Sequence, residues 1–216
     1  MLSIVKAMAL NGINGYLVKV EVDVTGGLPS FDIVGLPDTS VREAKERIRA
    51  AIKNSHIEFQ SRRILINLAP ASTKKEGTSL DLPMAIGILF AFGCIHKKID
   101  LSKTVFIGEL SLDGKINRVN GILPICVDAV KLGIERVIVA KENKEEAGIV
   151  KGLEVISVQS LNEVIDYLNG KKIIDSYNLD RISVLNKSNK YFEDFCDVKG
   201  QENIKRALEV AAAGRS

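Results

Sequence analysis

A chain of 216 residues accommodates one large or two small domains and is long enough to bury a real core. Its 46% hydrophobic and 26% charged content is ordinary for a soluble globular protein, and no apolar run approaches the ~20 residues that span a bilayer. The N-terminus has no signal-peptide core, which predicts a cytoplasmic protein, and a net charge of +3 attracts nucleic acid only weakly.

Ser3–Leu10 and Tyr16–Val24 both have strand character. In the second, Val18, Val20, Val22 and Val24 alternate with Lys19, Glu21 and Asp23, so one face is apolar and the other charged. The turn-rich Asn11–Gly15 between them predicts a hairpin. Phe31–Gly35 reads as a third short strand. Beyond Pro37, Ser40 and Glu43 have capping-box spacing and open a helix that runs to about Asn54. Val41, Ala44, Ile48, Ala51 and Ile52 form its apolar stripe, and Glu43 with Arg47 is expected as an i,i+4 pair worth a few tenths of a kcal/mol.

Arg63–Leu68 is the next strand, and the stretch from Ala69 to Ile95 follows it. A polar loop carries Lys74, Lys75, Gly77 and the Thr78-Ser79 pair, then gives way to an apolar helix that should be buried. A small hydroxyl residue at such a corner can be a nucleophile at the positive end of a helix dipole. It can equally be an N-cap, and Thr78-x-x-Asp81 has capping-box spacing with Asp in place of Glu or Gln. Pro83 suits the first turn of that helix, where no N–H is required. Thr104–Glu109 is a further strand, and Leu112–Ile116 supplies an Asp-Gly turn. Ile122–Leu132 reads as a helix with Gly133 as its C′ residue, Arg136–Ala140 and Leu153–Val158 as buried-type strands, and Ser160 with Glu163 opens a last amphipathic helix through Leu168.

The fold class expected from this order is α/β (α+β): a mixed sheet with helices, in one domain over 1–174. The polar, Asn- and Ser-bearing stretch that follows reads as a linker over 175–193. Residues 194–216 then lead into a helix from about Glu202 to Ala213, too short to be stable alone, which suggests the start of a second domain.

Motifs that carry chemistry are few. There is no Gly-x-x-x-x-Gly-Lys-Ser/Thr phosphate loop and no Gly-x-Gly-x-x-Gly after a strand. Val105–Glu109 is an apolar strand ending in a carboxylate, and without a phosphate loop it is only a strand end. Cys94, Cys126 and Cys196 lie far apart, and His56 and His96 are isolated, so neither a disulfide framework nor a metal cluster is expected.

Lys75-Glu-Gly-Thr-Ser-Leu-Asp81 resembles the Lys-Asp-Gly-Pro-Ser-Ala-Gly signature of the Lon protease domain, which would place Ser79 at the nucleophile. Gly108–Ile116 and Gly133–Asn143 continue the similarity. In that family the partner lysine lies just before the helix that ends at the Gly-Ile pair, and the matching position here is Leu123. A Ser–Lys dyad needs an amine to take the hydroxyl proton, and Leu has none. Lys115 and Lys131 are nearby but displaced, and Asp81 stands where the family has a small glycine. The resemblance therefore implies a Lon-protease-like, ribosomal-protein-like two-layer fold without protease activity, with a Ser79-dependent peptidase as the alternative.

Phe31–Glu43, Asn67–Ala71 through Leu82-Pro83, and Phe195–Gln201 resemble the magnesium-chelatase-like AAA+ ATPases of the competence-protein ComM (YifB) type, along nearly the whole chain. The resemblance implies a Lon-like N-terminal domain, a linker and the first residues of an ATPase module. It implies ATP and Mg2+ as cofactors of the intact protein, a hexameric ring assembled through the ATPase module, and action on DNA such as branch migration in natural transformation. Asp197, Val198 and Gly200 match the segment that lines the adenine pocket, while the phosphate-binding half is missing, so this chain alone is not expected to bind ATP. Candidate DNA contacts are Arg62, Arg63, Lys74 and Lys75; a ring-assembly domain without DNA contact is the further alternative.

Overall fold

The computed structural model describes residues 1–96, 100–179 and 195–214, which fall into two units divided at Leu179/Asp180. The first unit is organised on a long hairpin of β1 (Leu2–Asn11) and β2 (Asn14–Thr25), closed by a two-residue loop with Gly12 at φ +61°. Its alternating valines all face the same side: Val18, Val20, Val22 and Val24 are buried, while Lys19 stays exposed.

Further strands follow in chain order: β3 (Ser30–Val34), β4 (Arg63–Ala69), β5 (Thr104–Ile107), β6 (Glu109–Leu110), β7 (Ile116–Asn117), β8 (Arg136–Ala140) and β9 (Glu154–Val158). β6 and β7 form a separate short ribbon around the Asp-Gly turn. The others extend the hairpin to a seven-stranded sheet in the order β3-β4-β2-β1-β5-β8-β9. β4 runs antiparallel to β2, whereas β3 pairs parallel with β4, and β1, β5, β8 and β9 are mutually parallel. The sheet is therefore mixed, as its sequence order implied.

Helices α1 (Thr39–Asn54), α2 (Asp81–Ala91) and α5 (Leu161–Leu168) cover one face and share a core with Val20, Ile66, Phe106 and Ile138. α3 (Ile122–Lys131) and α4 (Lys144–Gly148) cover part of the other face over Met8, Val105, Val137 and Val155. A further helical layer thus lies on the opposite face, α3 against the β1–β2 hairpin and α4 beside β9, and the two-layer expectation describes only the β3-β4 edge. The cause is visible in the strands themselves: β5 and most of β8 are uninterrupted apolar runs buried on both faces. α2 presses close on β2, where a Cβ at Gly87 would lie 2.6 Å from Val22 Cγ2.

Several local expectations give way to tertiary contacts. α1 is capped by Asp38, whose Oδ1 accepts from Val41 N–H at 2.8 Å, and Ser40 lies inside the helix. Arg47 pairs with Asp81 across 34 residues instead of with Glu43 one turn away. The Thr78–Asp81 capping box does not form, because the N-cap is Leu80 without a side-chain bond. Carbonyls take over the orphan donors: Asp81 N–H reaches Thr78 at 3.1 Å and Leu82 N–H reaches Gly108 at 3.0 Å. Pro83 sits in the first turn as expected. α2 stops at Ala91 rather than Ile95, because Gly93 (φ +77°) ends it in a Schellman motif with bonds Cys94 N–Leu89 O and Gly93 N–Phe90 O.

In the second unit, a single turn of 3₁₀ helix (Phe195–Asp197) precedes α6 (Glu202–Ala213), and no side chain among its described residues is buried. Most of the expected linker, from residue 180 onward, lies outside the described residues.

Candidate functional site

Beyond β4 the chain forms a loop fixed by its own lysine. Lys75 is fully buried, and its ammonium donates to the carbonyls of Pro70 and Thr73, the latter at 2.7 Å. Its backbone is tied to the segment before α1: Lys75 N–H donates to Leu36 O at 3.1 Å, and Asp38 N–H donates to Lys75 O at 3.0 Å. Burial pushes the Lys75 pKa down. The reading of Lys75 as a DNA contact is therefore corrected, since a side chain enclosed by its own loop cannot reach a phosphate.

The other expected basic contacts do not form one cluster. Lys74 is exposed and paired with Glu76 at 2.8 Å. Arg62 and Arg63 are exposed at the opposite end of β4, about 20 Å away at ~3.3 Å per residue.

The anchored loop brings Thr78 and Ser79 to the wall of a cleft of about 670 Å³, together with Asp38, Glu76, Glu109 and Arg118. Ser79 is half-buried, and its carbonyl accepts from Gly108 N–H at 3.0 Å. The Thr78 hydroxyl donates to Glu109, whose other oxygen accepts from Asn117 at 3.5 Å. Among the described residues the cleft wall has no lysine and no histidine. Its one cation among the described residues, Arg118, is a guanidinium, which offers donors and no acceptor. Neither displaced lysine lines the cleft, and Lys131 is engaged by Asp128 at 2.7 Å. Leu123, at the matching position, uses only its backbone N–H, donating to Glu146 at 3.0 Å.

Behind the cleft, Asp81 is buried against Arg47, with Nε–Oδ2 at 2.7 Å and Nη2–Oδ1 at 3.0 Å; it also accepts from Leu110 N–H at 3.3 Å. Burial raises the Asp81 pKa, and the Arg47 and Leu110 bonds only partly offset this. Asp38, Glu109 and Arg118 were not singled out as cleft residues from sequence. Asp38 carried a local signal as a good cap residue directly after Pro37, and Glu109 one as the carboxylate at a strand end, whereas Arg118 carried none. The chain neighbours Asp197, Val198 and Gly200 precede α6, with Val198 45% exposed. Among the described residues no group of three or more His, Cys, Asp or Glu could hold a metal ion, and no helix is long and apolar enough to cross a membrane.

A family model described as subunit ChlI of Mg-chelatase matches residues 20–143, more than half of the sequence and most of the cleft wall. The chain belongs to this family. Within the ChlI family, it is similar to competence protein ComM of Haemophilus influenzae, at 39% identity over 215 residues, covering 99% of this chain and 42% of ComM. It is similar to YifB of Escherichia coli K12, at 39% identity over 214 residues, covering 99% of this chain and 41% of YifB. These matches make it a ComM/YifB-type, Mg-chelatase-like chain, and it spans about two-fifths of the length of those relatives. A more partial similarity reaches Lon protease 2 of Bacillus subtilis, at 30% identity over 184 residues, covering 76% of this chain and 32% of that protein.

Proposed function

We propose that this ChlI-family chain supplies a non-catalytic N-terminal domain, residues 1–174, linked through 175–193 to the start of an AAA+ ATPase module at 194–216. The observation that carries this reading is the wall of the Ser79 cleft: among the described residues it has three carboxylates and one guanidinium, with no amine or imidazole to take the hydroxyl proton. Lys75 has its ammonium committed to two carbonyls of its own loop. The domain then holds and positions, and chemistry belongs to the ATPase part of a longer protein.

In this reading the intact protein works in the cytoplasm as a hexameric ring assembled through its ATPase module. It hydrolyses ATP with Mg2+ and acts on DNA, as in branch migration during natural transformation. Similarity to ComM, whose name is that of a competence protein, supports the DNA role. Arg62, Arg63 and Lys74, all exposed, are candidates for such contacts. Asp197, Val198 and Gly200 would line the adenine side of a nucleotide site. The sequence has no glycine-rich phosphate loop, and the turn before α6 is open, so the residues present do not fit a whole nucleotide. No step of hydrolysis is assigned to them.

The test uses the full-length protein carrying Ser79→Ala. ATP hydrolysis and ATP-driven strand exchange on a branched DNA should both match the unaltered protein. Loss of either with the fold intact would return Ser79 to a chemical role, and absence of both in the unaltered protein would remove the motor reading.

A further inference from the structure

A small recess outside the Ser79 cleft opens where the start of β3, the C-terminal half of α1 and the connection into β4 meet. It measures about 170 Å³, and its wall carries Arg49, Lys53 and Arg62 but no carboxylate. Arg49 and Lys53 are one turn apart on α1 and share a face, while Arg62 arrives from the loop, its N–H bonded to Gln60 O at 2.9 Å. None of the three cations forms an ion pair among the described residues. Three positive charges gathered without a counter-ion outweigh the roughly half negative charge at the α1 C-terminus.

Two further features point to a missing acceptor. Ser30 Oγ and Arg49 Nε, both from residues of this wall, are buried and have no hydrogen-bond partner among the described residues. Buried polar atoms nearly always have one, and both of these can donate. Arg49 is also held in place: its guanidinium lies 5.5 Å from the Phe59 ring centroid, and Phe59 packs edge-on against Phe92 at 5.6 Å. A cation fixed in this way loses little side-chain freedom when an anion arrives.

We propose that this recess binds a phosphate group, with Arg49, Lys53 and Arg62 neutralising its charge and Ser30 supplying a neutral donor. The volume equals five or six waters at about 30 Å³ each, enough for one tetrahedral oxyanion and its residual hydration. It is below the ~300 Å³ at which small-molecule sites begin, so a nucleoside or the rest of an ester stays outside. The phosphate comes either from a small phosphate ester or from a nucleic-acid backbone. The assignment does not depend on the motor reading, because it rests on a different set of residues.

Two titrations of the 216-residue chain test it at constant ionic strength: melting temperature with inorganic phosphate replacing chloride, and anisotropy of a short labelled oligothymidylate. Phosphate should raise the melting temperature. A Lys53→Gln/Arg62→Gln double variant should lose that rise while melting normally in chloride, and Arg63→Gln, outside the recess, should keep it. If the oligonucleotide also binds and the double variant weakens it, the source is a strand backbone, and the salt slope falls by about one for each phosphate-neutralising side chain replaced. If phosphate stabilises and the oligonucleotide is unaffected by the double variant, the source is a small ester. The proposal is overturned if phosphate gives no stabilisation beyond chloride and the double variant binds the oligonucleotide as the unaltered chain does. It is equally overturned if Arg63→Gln abolishes the phosphate-induced rise in melting temperature as fully as the double variant.

Discussion

Asp81 shows what a single residue does for this domain. Its carboxylate is buried at the start of α2, and Arg47 from α1 holds both of its oxygens. Removing one partner of such a pair leaves an uncompensated charge, so Asp81→Ala should cost about 3 kcal/mol in chemical denaturation, the low end because Arg47 is partly exposed. The pH dependence has a definite sign. Burial raises the folded pKa of Asp81 above its unfolded value of about 4, so its contribution is full below that pH and is lost as pH rises through the folded value. Unfolding free energy measured upward from about pH 4 should therefore fall for the unaltered chain relative to Asp81→Asn, whose side chain does not ionise. A difference that grows in the opposite direction would show that Arg47 outweighs the burial. The cysteines give a second residue-level test. Cys126 is fully buried and its thiol is pushed up to about 12 by burial and by Glu146, whereas Cys196 is exposed. A thiol reagent near pH 8 should label Cys196 in the native chain and Cys126 only after denaturation; native labelling of Cys126 would contradict its placement in the core.

Among the elements, α1 separates what is local from what is not. Its stripe of Val41, Ala44, Ile48, Ala51 and Ile52 is buried as the 3.6-residue period requires, and β2 alternates as written. Its cap is Asp38, because that residue also sits against the loop, with its N–H on Lys75 O and its carboxylate near Gly77 N–H at 3.3 Å. Asp38→Ala should thus lower stability by ~1 kcal/mol or slightly more, while Ser40→Ala should stay within about 0.5 kcal/mol. Equal costs from the two would restore the cap read from local spacing. Where only near neighbours decide, as in the C-cap of α3 or Ser160 before α5, the local residues were enough to place the element or its end within a few positions. Where a partner lies far along the chain, they were not. Arg47 finds Asp81 rather than Glu43, Thr78 finds Glu109 rather than a helix donor, and Lys75 turns inward from a run that reads as solvated. The cleft was legible only as one serine; its carboxylates and Arg118 come from segments that the fold alone brings together.

At the scale of the whole molecule the two units differ in kind. The first has an extended core on both faces of its sheet, built from residues throughout 5–168. The second, taken by itself, offers a twelve-residue helix with Ile204, Leu208 and Val210 exposed, near the length at which isolated helices are marginal. The chain spans about two-fifths of the length of its ComM and YifB relatives. The contrast between the units concentrates the central question on the first, and there on the Ser79 hydroxyl. The direct measurement is reaction of the 216-residue chain with a fluorophosphonate probe across neutral and alkaline pH, followed by peptide mapping. With no base in the cleft wall, Ser79 should carry no more label than other partly exposed serines, and Ser79→Ala should leave the total unchanged. Stoichiometric labelling at Ser79 that disappears in Ser79→Ala would contradict the account and make this domain a hydrolase.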